Sequence, residues 1–220
     1  SRGTRMTRAL GLPRSNSVHP RSRTLPYYEF QGRRYPRVTR ILDILRDPGL
    51  EALEAKIGTR ALKARGTKAA NRGTKLDAAI KAEIQGCLKP RLAMFEEKQG
   101  WKAWEEYKRL YPGRFYEVGT PRCSEHWGYA GEPDLLNATG ITDLKATGQI
   151  REKHWIQTNA YIPLIWSEDE WERRTITIIR LDVQLGVCEV QERKFDRQMW
   201  RTFIQLKDVY VAWFSKEMDA

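Results

Sequence analysis

Several things are missing from this chain of 220 residues. No apolar run approaches the roughly 20 residues needed to cross a bilayer; the longest, such as VYVAWF at 209–214, are the size of core segments. Cysteine is scarce. Cys87, Cys123 and Cys188 lie far apart, form no CxxC or Cys/His spacing, and in odd number give no disulfide framework, so the expectation is free thiols in a reducing compartment. No GxxxxGK[ST] is present, which removes the usual phosphate loop. Acid is absent from residues 1–28, which hold six arginines.

Overall, Lys and Arg outnumber Asp and Glu by 39 to 28, a formal charge of +11. Such a balance speaks about partners, with nucleic acid first and an anionic membrane surface second. About half of the excess sits at the N-terminus, and residues 1–26 read as a flexible basic arm. Because that arm is also Arg-rich, Ser-containing and acid-free, a targeting remnant is the alternative, which would place the chain in mitochondria instead of a bacterial or phage-infected cytoplasm. With 40% apolar residues and eight tryptophans, the rest can bury a sizeable core. Residues 27–220 are expected to form a single domain.

Periodicity suggests how that domain is built. YYEFQGRRYPRV reads as a hairpin. TRILDILRD reads as a helix capped by Thr39 and stopped at Pro48-Gly49. Residues 50–86 read as helices with a weak repeat starting at Gly58, Gly66 and Gly73, whose small residues would line a close-packed face. A long amphipathic helix follows over 90–111, with Trp101, Trp104 and Tyr107 on its apolar side. Beyond Pro112-Gly113, RFYEVGT, SEHWGYAGEPDLL and GITDLKAT read as strands and IREKHWIQTNAYIPLIW as a helix. RTITIIRLD and GVCEVQERK read as strands joined at Leu185-Gly186, before a closing helix over 196–218. Helical residues 27–111, apart from the first hairpin, then precede a catalytic sheet at 112–220. The expected class is α/β, with a mixed central sheet flanked by helices.

The stretch GEPDLLNATGITDLKATG, residues 131–148, carries the chemistry. With NATG as the turn, Leu136 faces Ile141, Asp134 faces Asp143 and Glu132 faces Lys145. Alternation then points Glu132, Asp134, Asp143 and Lys145 the same way. Directly opposed Cβ atoms lie roughly 4.5–5.5 Å apart, so two like charges there are unfavourable unless something cationic joins them. Two carboxylates with few other ligands suit Mg²⁺ or Mn²⁺, and a lysine on the same face can orient water or neutralise charge on a phosphate. A solvated charged strand is the alternative, and the hairpin alone does not choose.

Other motifs do. Pro133-Asp134 with Asp143-Leu144-Lys145 resembles the PD-(D/E)XK nuclease superfamily. Gly131 to Asp134 fits GxxD, Gln157 and Tyr161 fit QxxxY, and YPRVTRIL is similar to the YPSVT-x-IL opening of the RecB-type branch, which includes bacteriophage and mitochondrial exonucleases. The resemblance covers roughly residues 27–215 in the same element order. It implies a restriction-endonuclease-like core and one or two Mg²⁺ or Mn²⁺ ions. The ligands implied are Asp134, Asp143 and the backbone carbonyl of Leu144, with Lys145 as the catalytic lysine and Glu117 as an additional acid. Where the branch carries GT-x-x-H, this chain has Gly73-Thr74-Lys75-Leu76-Asp77. Asp77 then either serves the metal through oxygen or is an ordinary helix acid. Gln157, Tyr161, His154, Thr147, Arg72 and Lys75 are expected to border or touch DNA; Lys63, Arg65, Lys68, Arg72 and Lys75 on the glycine-marked helices either line a channel for its backbone or form a merely solvated helix face. Trp127, Trp155 and Trp166 are either core or, if exposed, stacking platforms for bases.

The function implied is a metal-dependent deoxyribonuclease, an exonuclease on single strands or DNA ends. A structure-selective endonuclease with the same site, or a DNA-binding protein of this fold with weakened catalysis, are the alternatives. No membrane association is expected.

Overall fold

The computed structural model describes residues 25–45, 48–112 and 116–218, so most of the expected basic arm lies outside the described residues. The first hairpin pairs Tyr27–Phe30 (β1) with Arg33–Pro36 (β2) around Gln31 and Gly32, both at positive φ. Val38–Ile41 (α1) then tightens into a 3-10 turn at Leu42–Ile44. Here the sequence reading needs correction: Arg37, not Thr39, stands at the N-cap, and Pro48 opens the next helix instead of only closing the previous one. That helix is Pro48–Ile57 (α2), where a proline in the first turn costs no intrahelical hydrogen bond.

Thr59–Ile84 (α3) and Phe95–Leu110 (α4) follow. The expected role of the glycine repeat fails, since a Cβ at Gly58, Gly66 or Gly73 would meet nothing within 4 Å. Gly58 and Gly66 are exposed and Gly73 is half-buried, so the repeat does not mark a close contact. The fourth helix starts later than expected because Glu97 folds back to accept hydrogen bonds from the backbone N–H groups of Ala93 (2.9 Å) and Met94 (3.1 Å), satisfying donors that a helix start leaves unpaired.

Next come Glu117–Val118 (β3), a small hairpin of Arg122–Ser124 (β4) and Tyr129–Gly131 (β5), then Leu135–Asn137 (β6) and Gly140–Lys145 (β7). SEHWGYAGEPDLL is therefore three pieces and not one strand. Glu152–Tyr161 (α5) crosses to Thr175–Leu181 (β8), which turns at Gly186 into Cys188–Lys194 (β9) before Arg197–Met218 (α6).

The main sheet runs β3-β6-β7-β8-β9, parallel only between β7 and β8. Central β7 and β8 are almost continuously buried, as expected of strands covered on both faces. The edges are blunted: β3 is two residues long, and β9 ends in the exposed charged run Glu192–Lys194. Alternation sorts side chains between two cores. Leu136, Ile141, Ile176 and Ile178 join α1, α5 and α6 around Trp155, Trp171 and Phe203. Leu135, Ile179 and Leu181 join α3 and α4 around Leu76, Ile80, Trp104 and Tyr107. This is the mixed sheet flanked by helices, with helices preceding it, that the sequence led us to expect. Among the described residues, no helix is long and apolar enough to cross a membrane.

Ile178 is fully buried at the centre of the sheet. Its replacement by alanine is expected to lower unfolding free energy by about 2–5 kcal/mol in urea titrations; a loss below about 1 kcal/mol would contradict the two-sided core.

Candidate active site

The register of the β6–β7 hairpin decides which side chains meet. Asn137 pairs with Gly140, Leu136 with Ile141 and Leu135 with Thr142, as the turn predicted. Asn137 holds the turn: its Oδ1 accepts from Thr139 N–H, Thr139 Oγ1–H and Gly140 N–H, all at 2.9 Å. The ladder then stops. Asp134 stands just outside β6, and Glu132 belongs to the segment leaving β5, so the expected pairing of Glu132 with Lys145 does not occur.

Asp134 nevertheless reaches the strand opposite. Its Oδ2 accepts from Leu144 N–H at 2.8 Å, and its own carbonyl accepts from Gly119 N–H at 2.9 Å. The second contact explains a glycine: a Cβ on Gly119 would lie 1.8 Å from the carbonyl oxygen of Pro133. A second glycine is needed at Gly131, where a Cβ would come within 2.6 Å of the Tyr161 ring. The GxxD motif thus marks a place where backbone and an aromatic ring approach too closely for any side chain.

On β7, the period of two sends Asp143 and Lys145 to the α5 side with Ile141. Asp143 is only 2% exposed, and its Oδ2 lies 2.8 Å from Lys145 Nζ. Lys145 also donates to Gln157 Oε1 at 3.1 Å, and Gln157 Nε2 donates to the Tyr161 hydroxyl at 2.9 Å. Spaced four apart on α5, Gln157 and Tyr161 share one face. Tyr161 is buried, so this pair is placed to hold Lys145 from below, with Gln157 lining the cleft beside Lys145 and Tyr161 the adjoining one.

From the other side comes α3. Asp77 faces the same space, and Lys81, one turn later, sits among three carboxylates: 3.1 Å from Asp77, 3.7 Å from Asp134 and 3.9 Å from Glu132. A cleft of about 230 Å³ is lined by Gly73, Asp77, Asp134, Asp143, Lys145 and Gln157 among others. A second, of about 360 Å³, runs past Tyr28, Arg37, Lys81, Glu132 and Tyr161, and the two share Thr74, Asp77 and Asp134. In the second, Arg37 donates to the Tyr28 hydroxyl at 2.6 Å, which donates to Glu132 at 3.1 Å. The site opens beside the carboxyl end of β7, next to its parallel partner, where open α/β sheets place ligands.

The charges are tightly coupled. Burial pushes the Asp143 carboxyl up to about 7, with Asp134 and Asp77 adding to the shift and Lys145 opposing it. Burial works against the Lys145 ammonium, but Asp143, Asp134 and Asp77 outweigh it and hold its pKa above the ordinary lysine value. Burial likewise opposes the Lys81 charge, and Asp134, Asp77 and Glu132 again prevail.

Do these residues suit a divalent cation? The donors are hard carboxylate oxygens that repel one another, which is the set Mg²⁺ and Mn²⁺ prefer. As the side chains stand, no three His, Cys, Asp or Glu among the described residues gather closely enough to hold an ion. The ammonium groups of Lys81 and Lys145 lie among them instead. The chemistry of the donors fits, and an ion would have to displace ammonium contacts to bind.

Other expected residues lie further out. Glu117 pairs across from Leu136 on edge strand β3 and lines neither cavity; its Oε2 is buried without a hydrogen-bond partner. Thr147 donates to the Gln149 carbonyl at 2.9 Å in the turn after β7. Lys75 pairs with the buried Glu97 at 3.0 Å and Lys68 with Glu96 at 3.4 Å, tying α3 to α4. Arg72 is half-buried beside them, while Lys63 and Arg65 are exposed. Trp155 and Trp166 are core residues, and Trp127 packs edge-on against Trp200, so the stacking platform is not found. His154 accepts from Arg151 N–H through Nδ1 at 3.2 Å. Burial, together with Lys145, Arg151 and Lys153, pushes its imidazole down to about 4. Sequence reasoning missed Lys81, although its spacing from Asp77 is that of an ion pair on one helix face.

No protein-family model matches the chain, and no curated protein matches it. Among solved structures, the chain is similar to an alkaline exonuclease (LHK-Exo) from Laribacter hongkongensis. The two share 14% identity with a TM-score of 0.47, over 84% of this chain and 90% of that one. LHK-Exo in complex with dAMP gives 13% identity and a TM-score of 0.44, over 68% of this chain and 88% of that one. Likeness this distant carries no inference about chemistry, which must come from the residues in the cleft.

His154 supplies a pH test. A histidine whose folded pKa lies below its unfolded value near 6.5 stabilises the fold fully above about 6.5, and that contribution is lost as pH falls toward about 4. The imidazole NMR resonances should titrate near 4, and His154→Gln should flatten the stability profile across that window. A midpoint at or above about 6 would contradict the burial described. Separately, Gly131→Ala should lower stability by about 1–3 kcal/mol through overpacking against Tyr161, read by thermal melting; unchanged melting would refute the close approach.

Proposed function

We propose that this chain is a divalent-metal-dependent deoxyribonuclease of the PD-(D/E)XK type, RecB-like, that removes nucleotides from single-stranded DNA or DNA ends. One observation carries the reading: Asp134, Asp143, Lys145 and Gln157 converge on one open cleft at the end of β7. A salt-bridged surface hairpin would not bury Asp143 or point its lysine into a cavity.

Asp134, Asp143 and the carbonyl of Leu144 would hold Mg²⁺ or Mn²⁺. Such an ion supplies polarisation of the phosphodiester and a lowered pKa for bound water. The remaining work belongs to the chain. Lys145 keeps its proton at neutral pH because Asp143, Asp134 and Asp77 hold its pKa up. In that state it is a fixed cation that donates hydrogen bonds to a phosphate oxygen or a water. Gln157 takes one of its three donors; the donor that faces Asp143 here would be released when a cation takes that carboxylate, leaving two for the substrate or a water. Gln157 and Tyr161 fix the direction of the ammonium. In the hydrolysis, a water oxygen bonds to phosphorus, the bond to the 3′ oxygen breaks, and that oxygen takes up a proton. The exposed lysines and arginines along α3 offer the sugar-phosphate backbone a sequence-independent path.

A second reading, a DNA-binding protein with weakened catalysis, is motivated by Asp77 in place of the family histidine and by its ion pair with Lys81. That form would bind DNA without a carboxylate-dependent metal site.

A time course on 5′- and 3′-labelled single-stranded DNA tests the proposal. Mg²⁺ should give release from one end, chelator none, and a single-stranded circle should survive. Asp143→Asn should abolish release, and Gln157→Ala should slow it roughly 10–100-fold. No degradation with either Mg²⁺ or Mn²⁺, or undiminished activity in Asp143→Asn, would refute it; cutting of the circle would move the assignment to an endonuclease.

A further inference from the structure

Lys81 has no part in the hydrolysis described above, yet its side chain is among the less exposed of the paired cations in the described residues. Its side chain is 12% exposed, and its ammonium lies 3.1–3.9 Å from three carboxylates on two segments: Asp77 on α3, and Glu132 and Asp134 on the short connection between β5 and β6. Surface lysines seldom give up their conformational freedom this way, because an exposed ion pair returns little. Here three carboxylates meet in a half-buried space, and leaving them without a cation would be costly.

We infer that Lys81 stands in for a second divalent cation, so that the site takes one ion, held by Asp134 and Asp143, while Asp77 and Glu132 are served by the ammonium. The inference rests on the nuclease reading and deepens it by fixing the metal count. Formal charge supports it. With Asp143 ionised, as it must be to hold a cation, four carboxylates (Asp77, Glu132, Asp134, Asp143) against two ammonium groups (Lys81, Lys145) leave a formal charge of −2, which one divalent ion neutralises and two would exceed. The oxygens of Asp134 are also divided: Oδ1 faces Lys81 while Oδ2 accepts from Leu144 N–H on the β7 side.

Glu132 is further anchored by the Tyr28 hydroxyl, itself held by Arg37. The Lys81 side of the cluster is thus tied to the first hairpin, whereas the Asp143 side opens to the cleft with Lys145 and Gln157. An ammonium cannot accept a water as a ligand, so Lys81 balances charge and positions Asp77 and Asp134 without activating a nucleophile. In this arrangement Asp77 is a partner of Lys81 and no longer needs to replace the histidine as a metal ligand.

Mn²⁺ binding to the full chain, followed by calorimetry and by the spin–spin broadening of paired Mn²⁺ in electron paramagnetic resonance, reads the count directly. Wild type and Lys81→Arg should each bind one ion without broadening. Lys81→Met should free the Asp77–Glu132–Asp134 group and bind two, with the paired signal. In chelator, Lys81→Met should melt below wild type, and added Mn²⁺ should raise its melting temperature more than it raises that of wild type. Two ions in wild type, or a single ion in folded Lys81→Met, would overturn the inference while leaving the nuclease reading intact. No ion in wild type would overturn both. Should Lys81→Met not fold, Lys81→Gln replaces it with the same expected count.

Discussion

Everything at this site follows from negative charge held where water is scarce. Asp143 is buried under the sheet's α5 face, and Asp77 from α3 and Glu132 and Asp134 from the β5–β6 connection crowd the same space. Carboxylates so placed must be neutralised by protons, ammonium groups or metal. The chain uses two lysines, one on the strand with Asp143 and one on the helix with Asp77. Burial, with Asp134 and Asp77 nearby, raises the Asp143 carboxyl even though Lys145 opposes the shift. An under-compensated, half-open pocket is what a catalytic cation site needs and what a merely structural ion pair avoids.

The fold holds those charges together against their repulsion. The β6–β7 turn fixes the register, and the parallel pairing of β7 with β8 buries the strand that carries Asp143. Gly119 and Gly131 let backbone and the Tyr161 ring approach the Pro133-Asp134 segment. On the opposite face, Leu76, Ile80, Trp104 and Tyr107 fasten α3 to the sheet, which is why Asp77 and Lys81 project into the cleft. Gln157 and Tyr161 complete the enclosure from α5, turning a helix-face motif into a brace for Lys145.

Much of this was legible in the sequence where local physics decides. Hairpin register came from NATG, the elements of the sheet from alternation, and the α4 face from the spacing of Trp101, Trp104 and Tyr107. Legibility ended where distant segments meet. The kink that takes Glu132 out of the ladder, and so removes its pairing with Lys145, depends on β5 pairing with β4. The glycine repeat suggested packing, yet packing is decided by what lies opposite, and nothing does. Trp155 and Trp166 were ambiguous until their neighbours filled the core. Lys81 was hidden for the same reason: its partner on α3 is readable from spacing, but Glu132 and Asp134 reach it only through the tertiary fold.

The central claim is that Asp134 and Asp143 together form a divalent-cation site. The most direct measurement is a crystal soaked in Mn²⁺ with diffraction recorded at the manganese absorption edge. The account predicts an anomalous peak between the Asp134 and Asp143 carboxylates, with Lys145 moved off Asp143. Absence of a peak there at saturating Mn²⁺, or an identical peak in an Asp143→Asn crystal, would contradict it.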